Sequence, residues 1–356
     1  MNATPALATL GPALQRAGIE RPALVLDHAA FMHNLAWLHT HLPSGYARRI
    51  ADKSLAAPEL LAQTLQGLHS QRTMSFHLPL TRQVLQQHPD LDVLMGKPMP
   101  VGEAARFIKD CPQAAQVCWL VDSLERLAQY RQIATQGAKL RVALEVDIGL
   151  GRGGFADVAA VAQAVKEMGD LQLQGLMGYE AHVSALPGLL GGGTTRAMQQ
   201  AQERLADFVA ALPPHARQIV NTGGSTTNLM LPASGVANEL TVGSAAVKPS
   251  DFDQPCNQPL RPALYIATPV LKRVPHGVPA HPRLSNWLRR LRLIGAEVAF
   301  IYGGKWMARP VYPPGLKPSP FFGSSSNQQG FVWPSAAGNA DWVVLRPTQS
   351  EAVIQH

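Results

Sequence analysis

Five short stretches carry side chains suited to covalent or anion chemistry. "RRIADKSL" (48–55) delivers Lys53 just past a short mixed run. "NTGGSTTN" supplies Thr222, Gly223, Gly224 and Ser225, and "TVGSAA" supplies Gly243 and Ser244. "EVDIGLGRGGF" sets Glu145, Asp147 and Arg152 about a glycine-rich loop, and "GLMGYEAH" ends in Tyr179, Glu180 and His182. Paired glycines let the backbone approach an anion closely, and amides and hydroxyls at a helix start can bind phosphate oxygens. A lysine amine, once neutral, forms imines with carbonyl compounds, and partial burial beside cationic neighbours favours the neutral form. Each stretch also has an ordinary reading. A lone loop lysine is solvated surface, a Gly-Gly-Ser segment is a turn, and polar strand ends face water. The fold must bring the stretches together before the chemistry follows.

The elements that could do so are legible. Strands are expected at "ARRIAD" (47–52), "TMSFH" (73–77), "DVLMG" (92–96), "QVCWLVD" (116–122), "LRVALEVD" (140–147), "LQGLMGYE" (173–180), "QIVNT" (218–222) and "ELTVG" (239–243). Helical patterns lie between most of them, such as "SLERLAQYRQIATQG" and "FADVAAVAQAVKEMG", the latter stopping at Gly169. Strands alternating with helices imply βαβ units and a parallel sheet. Eight such units fit a (β/α)8 TIM barrel over residues 28–255 better than an open sheet. From residue 256 to 356 prolines crowd between short β-rich runs, which reads as a small antiparallel β domain. The strand "PALVLD", in the segment 1–27, is surplus to the eight and is expected to join that β domain. In such barrels the active site lies at the C-terminal strand ends, with phosphate often bound after strands seven and eight. The Gly223–Ser225 and Gly243–Ser244 loops follow those two strands, and Lys53 ends the first, so all share one face. A lysine in a phosphate-binding barrel mouth points to a Schiff base with pyridoxal 5′-phosphate, the electron sink for a carbanion at a substrate α-carbon.

Composition sets the outer bounds. Of the 356 residues, 46% are hydrophobic and 15% charged, an ordinary globular balance. The net charge of +7 comes from scattered Lys and Arg. Only "WLRRLRL" (287–293) clusters them, and its spacing reads as a solvated amphipathic helix. A small anionic ligand is expected, not nucleic acid. No apolar run approaches the ~20 residues of a membrane helix. Three cysteines without a CxxC spacing, and a start lacking a basic segment ahead of an apolar core, lead us to expect a cytoplasmic protein.

The motifs occur in a familiar order. "RPALVLDHAAFMHNLAWL", "RRIADKSLAAPELL", "TMSFHLPLTRQVL", "LEVDIGLGRGGF", "GLMGYEAH", "NTGGST" and "NELTVGSAAV" together span most of residues 20–250. In them the chain resembles the fold-type III pyridoxal-phosphate enzymes, in the branch of D-threonine aldolase and D-serine dehydratase, whose N-terminal domain is alanine-racemase-like. The resemblance implies that Lys53 carries the cofactor and that Tyr179 and Arg152 lie beside it. It places the phosphate at Thr222, Gly223, Gly224, Ser225, Gly243 and Ser244. His182 would face substrate or orient Tyr179. A homodimer acting on a small amino acid is implied as well.

Two departures bear on the reaction. The relatives' Arg-Pro-His-Val-Lys is here Arg49, Ile50, Ala51, Asp52, Lys53. Their metal ligands align with Gln329, Thr348 and Ser350, and no His-x-Cys pair occurs, so no metal site is expected. The first expectation is therefore a metal-independent lyase that cleaves or dehydrates a β-hydroxy D-amino acid. The alternatives are a racemase or epimerase, with Tyr265, Tyr302 or Tyr312 opposite Lys53, and a non-catalytic cofactor-binding protein.

Overall fold

The computed structural model describes residues 4–134, 139–185 and 193–354. Strand β1 (Ala23–Leu26) precedes eight parallel strands that close into a barrel. These are β2 (Ala47–Ala51), β3 (Arg72–Ser75), β4 (Asp92–Met95), β5 (Val117–Val121), β6 (Arg141–Val146), β7 (Gln172–Gly178), β8 (Ile219–Thr222) and β9 (Glu239–Val242). The expected TIM barrel is present, each strand falling within or beside its expected stretch. Closure runs from Ala47 opposite Glu239 to Ile50 opposite Val242. β5 is buried at every position, as a parallel strand covered on both faces must be.

Helices shield the barrel. Asp157 caps the helix Val158–Lys166 by accepting the Ala160 amide at 2.8 Å. The helix expected from residue 123 runs Leu124–Ala134, and residues 135–137 lie outside the described residues.

Alternation along β2 divides labour. Ile50 packs into the main hydrophobic core. Arg49, its neighbour, is fully buried inside the barrel and binds Glu239 of β9 at 2.5 Å and Asp92 of β4 at 2.6 Å. Arg72 and Arg141 add pairs to Glu239 and Asp92, and Asn221 donates to Glu239 at 2.8 Å. Burial alone would raise the Asp92 pKa, but Arg49 and Arg141 hold it below the usual carboxylate range. This ion network fills the interior beneath the strand ends, where the functional stretches meet.

The C-terminal part forms an antiparallel sheet of β10 (Leu264–Pro275), β11 (Glu297–Tyr302), β12 (Ala308–Tyr312), β13 (Lys317–Pro318), β14 (Gln328–Trp333) and β15 (Trp342–Pro347), in the order β12-β15-β10-β11-β14-β13. β1 pairs with β10, Ala23 opposite Ala267. One cluster of buried side chains includes Ile266, Ile301, Phe331 and Leu345. A second, built from Leu7, Tyr265, Trp342 and Val344, ties in the helix Thr4–Arg16. The helix Pro282–Arg290 leaves Leu284, Trp287, Leu291 and Leu293 on and after it exposed. No helix among the described residues is long and apolar enough to cross a membrane.

Candidate active site

A cavity opens at the C-terminal ends of the barrel strands, with about 140 Å³ of room for water centres. One water needs only ~10–15 Å³ on that measure, so a small organic molecule can enter. Lys53 lies in the 3₁₀ turn Asp52–Leu55 that follows β2 directly. Its Nζ reaches the cavity 4.4 Å from the centroid of the Phe76 ring and 3.6 Å from Oε1 of Glu351.

Opposite stand the two small-residue loops. Gly223, Gly224 and Ser225 follow β8; Gly243 and Ser244 follow β9; all five line the cavity. They interlock through Ser225, whose Oγ accepts the amides of Gly243 (3.2 Å) and Ala245 (3.0 Å). Ser54, next to Lys53, shares a 2.9 Å hydrogen bond with Ser244. Glycine is required at two points by close approach. A Cβ on Gly224 would lie 2.6 Å from Cε2 of Tyr179, and one on Gly243 would lie 2.9 Å from Cβ of Ala51.

Tyr179 and Arg152 line the same cavity, the guanidinium 5.4 Å from the tyrosine ring centroid. Burial, then the charge of Glu180, raises the Tyr179 pKa, so its hydroxyl stays protonated and can donate. Arg152 is presented by the loop that Asp147 gathers, its Oδ1 accepting the amides of Gly149 (2.9 Å) and Gly151 (3.0 Å). Burial would raise the Asp147 pKa, but these amides hold it down. Glu145, half-buried beneath, has its pKa raised by desolvation.

Two expected site residues stand outside the cavity lining. The Thr222 side chain is buried and donates its hydroxyl to Glu180 at 2.6 Å, beside the cavity rather than in its lining. Glu180 is a tie point: it also accepts the Thr227 hydroxyl at 2.6 Å and the Gly223 amide at 3.2 Å, anchoring the glycine loop to the end of β7. His182 begins the helix Ala-containing turn His182–Ala185 and packs against Gly149. The Glu180 side chain is buried, and His182, two residues on, is absent from the cavity lining.

The proposed metal-position residues are engaged elsewhere. Gln329 lies on β14 opposite Ile301, the Thr348 hydroxyl donates to the Met307 carbonyl at 3.0 Å, and Ser350 is buried with its hydroxyl 3.3 Å from that of Ser244. Among the described residues, no group of three or more His, Cys, Asp or Glu is placed to hold a metal. Tyr265 donates to the Pro262 carbonyl inside the sheet packing, Tyr302 is exposed, Tyr312 packs beside Tyr265, and none lines the cavity. Sequence reasoning passed over Phe76, Ser54, Phe252 and above all Glu351, all of which line the cavity. Only adjacency to Lys53 could have flagged Ser54; nothing local marks Glu351.

Known proteins share this architecture. Residues 26–251 match the alanine racemase N-terminal domain. A D-threonine aldolase from Arthrobacter sp is 31% identical over 252 residues, covering 66% of this chain and 63% of that protein, so the match spans less than two thirds of the relative's length. Among solved structures, D-threonine aldolase from Filomicrobium marinum superimposes with a TM-score of 0.73 at 20% identity, over 94% of this chain and 89% of that one. D-threo-3-hydroxyaspartate dehydratase from Delftia sp. HT23 gives 0.70 at 15% identity, over 94% and 91%. Alanine racemase from E. faecalis gives 0.67 at 15% identity, over 94% and 92%. At such identities the three structures speak to the fold.

Proposed function

Because the chain belongs to the alanine racemase N-terminal domain family, whose cofactor is pyridoxal 5′-phosphate, we propose that it is a lyase that cleaves or dehydrates a β-hydroxy D-amino acid. One observation carries the proposal. Lys53 Nζ stands in the barrel-mouth cavity, facing the paired Gly223–Ser225 and Gly243–Ser244 loops. Both glycine loops line that cavity, where backbone without a bulky side chain can approach a bound cofactor's phosphate end closely. The 31% identity to a D-threonine aldolase supports the reaction class.

Lys53 is the amine that would hold the cofactor's aldehyde. Gly223, Gly224, Ser225, Gly243 and Ser244 would hold its phosphate, and Phe76, Tyr179 and Arg152 would bound its ring. When bound, the cofactor supplies an electron sink for negative charge at the substrate α-carbon. Lys53 also moves the proton at that carbon. Tyr179 donates through its hydroxyl, and Arg152 offers a fixed positive charge. The β-hydroxyl is served by protein side chains rather than a metal, the Thr348 and Ser350 hydroxyls being engaged within the protein. A cytoplasmic homodimer completes the reading, with light scattering expected to give twice the 38.3 kDa chain mass.

The test is direct. Cofactor added to the apoprotein should create a visible absorption band that Lys53→Ala lacks. The loaded protein should then turn D-threonine into glycine plus aldehyde, or D-serine into a keto acid, with and without EDTA. Formation of L-alanine from D-alanine as the main reaction would make the protein a racemase. Loss of all turnover with EDTA would sink the metal-independent reading.

A further inference from the structure

We propose that the helix Pro282–Arg290 docks the protein on an anionic lipid surface, an assignment that stands apart from the reaction. The helix lies between β10 and β11 and is amphipathic, as its spacing predicts, but it is turned inside out. At about 100° per residue, Leu284, Trp287, Leu288 and Leu291 share a stripe about 100° wide. Leu284, Trp287 and Leu291 keep 44%, 55% and 51% of their surface exposed, and Leu293 beyond them 63%. The side turned to the protein is polar. Ser285 is buried, its hydroxyl accepting the Val278 amide at 2.9 Å and donating to the His281 carbonyl at 2.8 Å. Arg289, half-buried, donates to the His276 carbonyl and to Asn286.

Folding does not account for this orientation, because a helix held to a domain by packing hides its apolar stripe and wets its polar one. The charge around the stripe says what would cover it. From His276 to Ala296 the chain carries four arginines, Arg283, Arg289, Arg290 and Arg292, and no carboxylate. Among the described residues no carboxylate pairs with any of the four. The helix dipole favours Arg289 and Arg290, which stand in the last turn. It disfavours Arg283, which stands in the first turn with no acidic residue to offset it.

A basic rim on an exposed stripe of Leu and Trp matches an anionic bilayer interface. The leucines enter the acyl boundary, the indole keeps its N–H at the headgroups, and the guanidiniums meet lipid phosphates. A second copy fits less well, since pairing stripe on stripe across a two-fold axis would bring the two basic rims together. From Leu284 to Leu291 the stripe runs only about 10 Å, which gives a reversible hold on the surface and not an anchor.

Vesicle sedimentation tests the assignment on the full chain. The protein should sediment with vesicles of phosphatidylcholine plus phosphatidylserine but not with phosphatidylcholine alone, and added salt should release it. An arginine near an anionic surface strengthens binding about fivefold, so Arg283→Gln, Arg290→Gln and Arg292→Gln together should weaken it about 10²-fold. The same charge removed from exposed Arg16, Lys109 and Lys166, on three other helices, should weaken it far less. Equal losses in the two triple variants overturn the site and leave only the pull of the net charge. Leu284→Ser with Leu291→Ser should also release the protein while its mass by light scattering holds. A fall in mass makes the stripe a contact between copies and overturns the lipid assignment. Vesicles should shift the tryptophan emission to the blue, and Trp287→Phe should lose that shift. A shift that survives in Trp287→Phe overturns the placement of the helix at the surface. Failure to bind the charged vesicles, with or without retention of duplex DNA, overturns the proposal outright.

Discussion

Asp52→Asn isolates an unusual expense next to Lys53. Asp52 is fully buried, and neither carboxylate oxygen has a partner in hydrogen-bond geometry. Desolvation raises its pKa from the ordinary 3.8 to about 7, the Ser75 hydroxyl and the Lys53 amide opposing it only in part. Between those values the folded protein retains a proton that the unfolded chain has released. Stability therefore falls as pH rises through that window and levels off above it. At 1.36 kcal/mol per unit, about three units correspond to about 4 kcal/mol lost between pH 4 and pH 7. An asparagine of nearly the same shape does not titrate. Any offset from the variant's own unpaired amide is constant with pH, so the difference between variant and wild type should grow by about 4 kcal/mol from pH 4 to pH 8, because all other titrating groups cancel in it. Urea denaturation of the apoproteins at four or five pH values, followed by tryptophan fluorescence, measures that difference. Parallel stability curves would refute the reasoning and mean that Asp52 is hydrated or paired in solution.

Three further substitutions probe the scaffold. Gly224→Ala forces a Cβ to within 2.6 Å of the Tyr179 ring, which must shift within the cavity it lines, so cofactor affinity should drop at least ~10-fold in an absorbance titration. Glu180→Ala strands the Thr222 and Thr227 hydroxyls and the Gly223 amide; at 1–3 kcal/mol per abandoned group it should destabilise by about 3 kcal/mol or more and speed cofactor release. Arg49→Met removes the guanidinium shared by buried Glu239 and half-buried Asp92, leaving them Arg72 and Arg141 alone, and denaturant unfolding should show a loss of about 3 kcal/mol.

These sites differ in how far the sequence disclosed them, and the reason is the range of the interactions involved. The barrel was legible because each strand carries its own signal, a short apolar run bounded by turn residues and separated from the next by helical spacing. Lys53 and the Gly223–Ser225 and Gly243–Ser244 loops were legible because barrel topology alone puts strand ends on one face. The roles of Thr222, Glu180 and His182 were not. Which way each side chain turns at a strand end depends on its tertiary partners, and a glutamate anchoring a loop has the same letters around it as one facing substrate. The interior pairing of Arg49 with Asp92 and Glu239 joins strands 43 and 190 residues apart, and no periodicity encodes it. Glu351 is the extreme case. It lies 298 residues from Lys53, on a four-residue helix whose position is set by the pairing of β15 with β10 and β12 rather than by any pattern of its own. A carboxylate delivered from the far end of the chain onto the lysine turn can be replaced without disturbing the barrel's own signals. Lys53 and the two glycine loops thus reach the cavity from the barrel, while Glu351 reaches it from the short helix that follows the C-terminal sheet.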